Sequence, residues 1–267
     1  MQTLEAPTRP PRRPREPYTY TPGQRPSPTA AFLAVPTGES PATFVLPLLD
    51  RGLEVLDAGC GAGTITQSLA EHVLPGRVTA IDRDAAQVAR ASRLAEGREL
   101  TNVRFTTAEA DALPFGDASF DLVFAHALFE HVMDPKAALR EMRRVLRPGG
   151  FIALCSPDWD SFEMRQATPA AEAALQACRD LMDTEGANPR AGGQLAAWLT
   201  DAEFAVLEQG QRFENYGPAV RIATHLALQL DAAGNPGAAH ALIDWSTEPG
   251  AELLGCWRHA IGMKWNR

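Results

Sequence analysis

Three acids, three glycines and one histidine carry most of the chemistry this sequence can do. Asp57 is followed closely by Gly59, Gly61 and Gly63, while Asp82 and Asp111 come later and His126 lies beyond them. Glycines at alternate positions let a chain turn sharply into a helix whose first amide groups stay free. Free amides beside an acid make a nucleotide-type cofactor turn, the amides facing negative charge and the acid accepting hydrogen bonds. The spacing narrows the cofactor. A dinucleotide turn needs glycine at 59, 61 and 64, but the last of these is Thr64. A Walker loop needs Gly-Lys-Ser/Thr, and no lysine lies near the turn. An acid followed by G-x-G-x-G remains.

Periodicity and punctuation supply the elements that must position these residues. Ser40-Pro41 starts a helix, with serine as cap and proline first, leading into Phe44, Val45, Leu48 and Leu49. The apolar run ending in Asp57 reads as a buried strand. After the glycines, Ile65, Leu69 and Val73 at spacing four mark a helix that Pro75-Gly76 ends. Arg77 to Ile81 is a second strand closed by Asp82. Asp84 caps the next helix, with Val88, Ala91 and Ala95 inward and Gly97 as its stop. Further strands are predicted at Asn102 to Thr107, Phe120 to Ala125 and Phe151 to Cys155. Asp134-Pro135 opens the helix between the last two, Leu139, Met142 and Leu146 facing inward before Pro148-Gly149-Gly150. This alternation predicts an α/β fold, a doubly wound Rossmann-like sheet of five parallel strands with right-handed crossovers. Ligands of such sheets bind beyond the carboxyl ends of the strands, where Asp57, Asp82, Asp111 and His126 fall. Asp84 is the better helix cap, which leaves Asp82 for another task.

Beyond residue 160 the pattern changes. Helices are predicted from Pro169 to Asp183 and around Leu195 to Leu199, then a hairpin from Ala205 to Leu207 and Arg212 to Tyr216 through Gly210. Two or three helices finish the chain, carrying Trp245, Trp257 and Trp265 mainly as packing residues. Residues 1–28 hold eight prolines and five arginines with almost no aliphatic side chain, and read as a disordered, solvated basic arm. The expected organisation is that arm, a cofactor domain over 29–217 and a helical cover over 218–267.

Composition sets outer bounds. A hydrophobic content of 45% and a charged content of 22% are ordinary for a globular chain. The net charge of −8 argues against a broad nucleic-acid surface. No apolar run approaches the roughly 20 residues of a membrane helix, and the N-terminus lacks the apolar core of a secretory signal, so a cytoplasmic protein with no membrane partner is expected. The four cysteines form no C-x-x-C pair and are read as free thiols, not zinc ligands.

Four further stretches extend the pattern of the turn: Asp111-Ala-Leu-Pro-Phe115, Ser119-Phe-Asp-Leu-Val123, Phe129-Glu-His-Val-Met-Asp-Pro135 and Val145-Leu-Arg-Pro-Gly-Gly150. With Glu54 to Gly63 they resemble the successive motifs of class I S-adenosylmethionine (SAM) dependent methyltransferases, of the type exemplified by ubiquinone and menaquinone biosynthesis enzymes. Ala202-Glu-Phe204 resembles the Ala-Gly-Phe that precedes the sixth strand, with Glu203 in place of glycine. The resemblance implies SAM as cofactor, its methionyl part near Asp57 and the amides of Gly59, Gly61 and Gly63. It places the ribose hydroxyls on Asp82 and the adenine amino group on Asp111, with Ala112, Leu113 and Arg83 flanking the ring. Arg83 departs from the usual aliphatic residue, and its planar guanidinium offers a stacking surface instead.

A sulfonium methyl is already activated, so transfer mainly requires alignment of nucleophile, methyl carbon and departing sulfur. A protonated oxygen or nitrogen nucleophile benefits from a general base. His126, just past the fourth strand, is the candidate; His131 reads as structural. Enzymes that methylate amino groups of adenine or glutamine carry Asn/Asp-Pro-Pro-Tyr/Phe after that strand, where this chain has His126-Ala-Leu-Phe129. No acidic cluster suggests a metal, and the two histidines lack ligand spacing. A small organic acceptor is left, a quinone, phenol or polyketide-like molecule methylated on O, N or C, covered by Asp158 to Gln166 and the last helices. A SAM-binding cyclase of natural-product biosynthesis, a non-catalytic SAM binder and, from the glycine turn alone, an NAD dehydrogenase are the other readings.

Overall fold

The computed structural model describes residues 42–216 and 218–265. The Pro/Arg-rich arm and the Ser40-Pro41 helix start lie outside the described residues. The chain enters through a 3-10 helix, Thr43–Leu48, which buries Val45.

Strands β1 (Glu54–Ala58), β2 (Arg77–Asp82), β3 (Val103–Thr107), β4 (Phe120–His126) and β5 (Leu146–Pro157) form a parallel sheet in the order β3-β2-β1-β4-β5. Their apolar runs are covered on both faces: Leu56, Ile81 and Val123 lie in one core, Val55, Val78 and Phe124 in the other. The covering helices include α1 (Thr64–Val73), α2 (Ala85–Glu96) and α3 (Pro135–Val145). Asp84 and Asp134 cap α2 and α3 as expected, their side chains accepting from Ala86 and Ala137 amides. The strand order reverses between β1 and β4, so the crevice for a ligand opens at their carboxyl ends.

The C-terminal third departs from expectation in two ways. Ala205 to Leu207 and Arg212 to Tyr216 form no hairpin, because Phe204–Asn215 is one continuous strand, β7. Gly210 serves close packing instead of a turn: it pairs with His259, whose ring would lie 2.6 Å from a Cβ at that position. The stretch 218–267 is also not all helix. After α6 (Ala219–Ala232) and α7 (Pro236–Ser246) comes a long strand, β8 (Glu252–Lys264), inserted antiparallel between β5 and β7. Its residues are largely buried on both faces, which removes the alternation that marks a half-exposed strand. Trp257 therefore lies in the sheet, Trp245 is buried on α7, and Trp265 is exposed just beyond β8.

A short strand, β6 (Glu163–Arg165), pairs the first residues of β8, and α5 (Ala191–Asp201) packs near β8 beside β5. The helical cover joins α4 (Pro169–Thr184) to α6 and α7 around one apolar cluster holding Trp159, Leu226 and Trp245. It thus draws α4 from within 29–217 and returns β8 to the sheet.

Candidate functional site

The glycine turn is built as a backbone cradle. Gly59, Gly61 and Gly63 have φ of 80°, 51° and 78°, a region that costs other residues about 1–2 kcal/mol. Gly63 is the N-cap of α1 and offers no side-chain cap, so the first amides of that helix are left to a ligand. A Cβ on Gly63 would come within 2.8 Å of the Ala91 side chain, so this glycine also sets how closely α2 approaches. Asp82 closes the turn: its Oδ2 accepts the Gly61 amide and its Oδ1 the Asp84 amide, both at 2.9 Å. A carboxylate has about four lone-pair sites, so two remain for hydroxyl donors.

Asp57 sits beneath this cradle. It is 3% exposed, accepts from Thr66 Oγ1 at 2.6 Å, and burial, with the Asp82 charge adding, pushes its carboxyl up to about 7. It supports the turn from below. Asp111 and Ala112 are exposed while Leu113 is buried. Glu141 and Arg144 of α3 staple this loop, the Leu113 amide donating to Glu141 Oε2 at 3.0 Å and Arg144 Nη2 to the Leu113 carbonyl at 3.1 Å. Arg83 is exposed, and its charge, after burial, helps hold His131 down at about 4.

The end of β4 connects this half to a second one. Ala127 has a φ of 54°, a strained value for alanine, fixed by its amide donating to the Cys155 carbonyl at 2.8 Å. The bend brings Leu128 against the turn, where its Cδ1 lies 3.0 Å from the position a Cβ on Gly59 would take. His126, one residue earlier, is 8% exposed and stacks on the Trp257 indole with ring centroids 4.8 Å apart. Its Nε2 has no hydrogen-bond partner, and burial, reinforced by Arg212, pushes its pKa down to about 3.

Residues that sequence reasoning passed over complete this half. Glu130 is fully buried, accepts from Ser156 Oγ at 2.9 Å and is pushed up to about 7 by burial. Arg212 pairs with Glu214 on the same face of β7, and Tyr216 accepts from Trp257 Nε1 at 2.6 Å. The signal was present: Arg212, Glu214 and Tyr216 alternate, so a strand there puts all three on one side. The structure thus gathers Asp57, the glycines and Asp82 at one centre, and His126 with Arg212 and Trp257 at another, joined through Ala127. Among the described residues no cluster of His, Cys, Asp and Glu suits a metal ion.

The parallel sheet, its reversed order and the cradle at β1 make a doubly wound, Rossmann-like architecture. The sequence model of the methyltransferase domain family matches residues 56–154. An uncharacterized transposon protein of Streptomyces fradiae is 40% identical over 61% of this chain and 47% of its own length. An uncharacterized methyltransferase of Schizosaccharomyces pombe is 30% identical over 63% and 62%. The ubiquinone/menaquinone biosynthesis C-methyltransferase UbiE of Hahella chejuensis is 44% identical over 37% and 41%. This chain thus spans between about 40% and 62% of the length of these relatives. Among solved structures, a SAM dependent methyltransferase from Aquifex aeolicus covers 90% of this chain and 99% of its own at a TM-score of 0.55 and 19% identity. The cyclase SpnF covers 82% and 77% at a TM-score of 0.54 and 25% identity. Residues 56–154 thus form a methyltransferase domain, similar to that of ubiquinone/menaquinone biosynthesis methyltransferases. No described helix is long and apolar enough to cross a membrane.

Proposed function

We propose that this chain binds SAM and moves its methyl group to an O, N or C nucleophile of a small organic acceptor. The observation that carries the reading is the open cradle closed by Asp82. Nothing lies within 4 Å of where a Cβ on Gly61 would stand, so the turn faces open space. The residues fit SAM. Asp82 would accept the ribose hydroxyls, and the amides at the start of α1 would face the methionyl carboxylate. Asp111 would accept from the adenine amino group between Ala112, Leu113 and Arg83, the loop being held in place by Glu141 and Arg144.

When bound, SAM supplies an activated methyl, and the chain's own part is to orient the acceptor, exclude water and accept a proton. His126 lies next to the cradle with a free Nε2 and stays neutral across the physiological range, which suits contact with the acceptor's reacting group. Glu130, at about 7, is the group whose pKa matches a proton acceptor at neutral pH. Supporting observations for a small-molecule partner are the enclosed setting of His126 and Trp257 and the Tyr216 hydroxyl that ties Trp257 to the apolar cluster of the helical cover.

The test is to titrate SAM into the protein, then incubate both with quinones, phenols and polyketide-like acceptors and follow S-adenosylhomocysteine by mass spectrometry. Its appearance with one acceptor supports methyl transfer; absence of SAM binding sinks the reading. The likeness to SpnF favours one second reading, a natural-product cyclase that binds SAM without transferring methyl. A product isomer of unchanged mass would replace the first reading by this one.

A further inference from the structure

Arg212 lies close to His126 and Trp257. β7 runs parallel to β5, both being antiparallel to β8, and Arg212 and Pro157 both pair with Trp257. Arg212 is therefore level with the carboxyl end of β5 and acts electrostatically on both His126 and Cys155. Its Cζ lies 5.9 Å from the Trp257 ring centroid. The surrounding groups leave its hydrogen-bonding capacity only partly met. Glu214 pairs with it through Nη1 and does not reach Nη2. Cys155, pushed up to about 12, gives Arg212 only a neutral sulfur as hydrogen-bond partner, and the Tyr216 hydroxyl accepts from Trp257. Arg212 Nη2 is buried without any hydrogen-bond acceptor, as is His126 Nε2. A buried guanidinium donor left unmet beside a stacked His–Trp pair calls for an occupant.

We propose that Arg212 orients the methyl acceptor, Nη2 donating to an anionic oxygen of a planar molecule that lies against Trp257 and His126. This rests on the methyltransferase reading and narrows its substrates to aromatic or conjugated acceptors bearing a phenolate, enolate or carboxylate. A guanidinium suits this role because its planar fork stays charged and binds oxyanions directionally. An acceptor held as its oxyanion also needs no strong base, which fits a histidine as weakly basic as His126.

The test uses 2-hydroxy-1-naphthoate as anionic probe and 2-methoxynaphthalene as its neutral counterpart, titrated calorimetrically into protein saturated with S-adenosylhomocysteine. Wild type is expected to prefer the anion, and Arg212→Leu to weaken it about tenfold or more while leaving the neutral probe within about twofold. S-adenosylhomocysteine affinity should not change. Equal affinity of wild type for both probes, an unchanged anion affinity in the variant, or equal loss of both probes would overturn the proposal. Because Arg212→Leu leaves Glu214 without its partner, the double variant Arg212→Met with Glu214→Gln decides the matter if the single one does not fold. Failure of wild type to bind S-adenosylhomocysteine would instead remove the methyltransferase reading, and this proposal with it.

Discussion

The two halves of the site are built on opposite principles. The half we assign to the cofactor is mostly backbone: three glycines at positive φ, free helix amides, and an acid whose two oxygens brace the turn. Its parts lie within a short stretch, from Asp57 to Asp84. The half we assign to the acceptor is side chains: His126, Glu130, Ser156, Arg212, Glu214, Tyr216 and Trp257, brought together from four distant segments and mostly buried. A backbone cradle offers few side chains to change. A side-chain pocket can be rewritten residue by residue, which is how one fold serves many acceptors.

Glycine substitutions break this contrast most directly. Gly63→Ala combines a strained φ with a Cβ 2.8 Å from Ala91, and is expected to cost about 2–4 kcal/mol of stability and to abolish SAM binding. Gly255→Ala meets the Tyr216 ring at 2.2 Å from the ideal Cβ, and Tyr216 must move. Its expected signature is lost turnover with SAM affinity kept within about threefold, an overpacking effect confined to the acceptor half. Calorimetric SAM titration beside denaturant melts reads both. If Gly255→Ala weakens SAM as much as Gly63→Ala does, the halves are not separable.

Smaller in effect is removal of single polar groups. Asp82→Ala takes away the brace on Gly61 and the proposed ribose acceptor, and SAM affinity should fall about tenfold to a hundredfold, a charged hydrogen bond being worth about 1.5–3 kcal/mol. His126→Ala should do the reverse: SAM affinity unchanged, turnover down by about tenfold or more. Turnover that survives His126→Ala would take the histidine out of the mechanism and leave Glu130, tested by whether Glu130→Gln removes a limb near pH 7 from the rate profile.

The same contrast explains what the sequence disclosed. The cradle was legible because glycine spacing, a strand-ending acid and helix caps are local signals, and each of β1 to β4 and α1 to α3 lies within a few residues of its expected place. The acceptor half was not, because its geometry depends on β8, a strand buried on both faces that carries no alternation. Gly210 was read as a turn when its role is to admit the His259 ring. Without β8, Trp257 reads mainly as a packing residue and only secondarily as a substrate wall, and nothing links Arg212 to His126. Asp57 was legible in position but not in depth: only the fold shows that Thr66 and burial set it beneath the cradle.

The gentlest probe of the contrast is the pH dependence of stability, because the halves carry buried groups shifted in opposite senses. Asp57 holds its proton up to about 7 in the fold against 3.8 ordinarily, so unfolding releases a proton between those values and its contribution falls as pH rises through them. His126 stays neutral in the fold down to about 3 against 6.5 ordinarily, so unfolding takes up a proton and stability falls as pH drops through that window. Removing each group removes its slope. Measured as the melting temperature of variant minus wild type, Asp57→Asn should become more favourable from pH 4.5 to 7.5. His126→Gln should become more favourable from pH 7.5 to 4.5. Opposite slopes of the two difference curves are the expected result. Parallel curves would show that one of the two groups is hydrated in solution, and would move the boundary between the protected and the accessible side of the site.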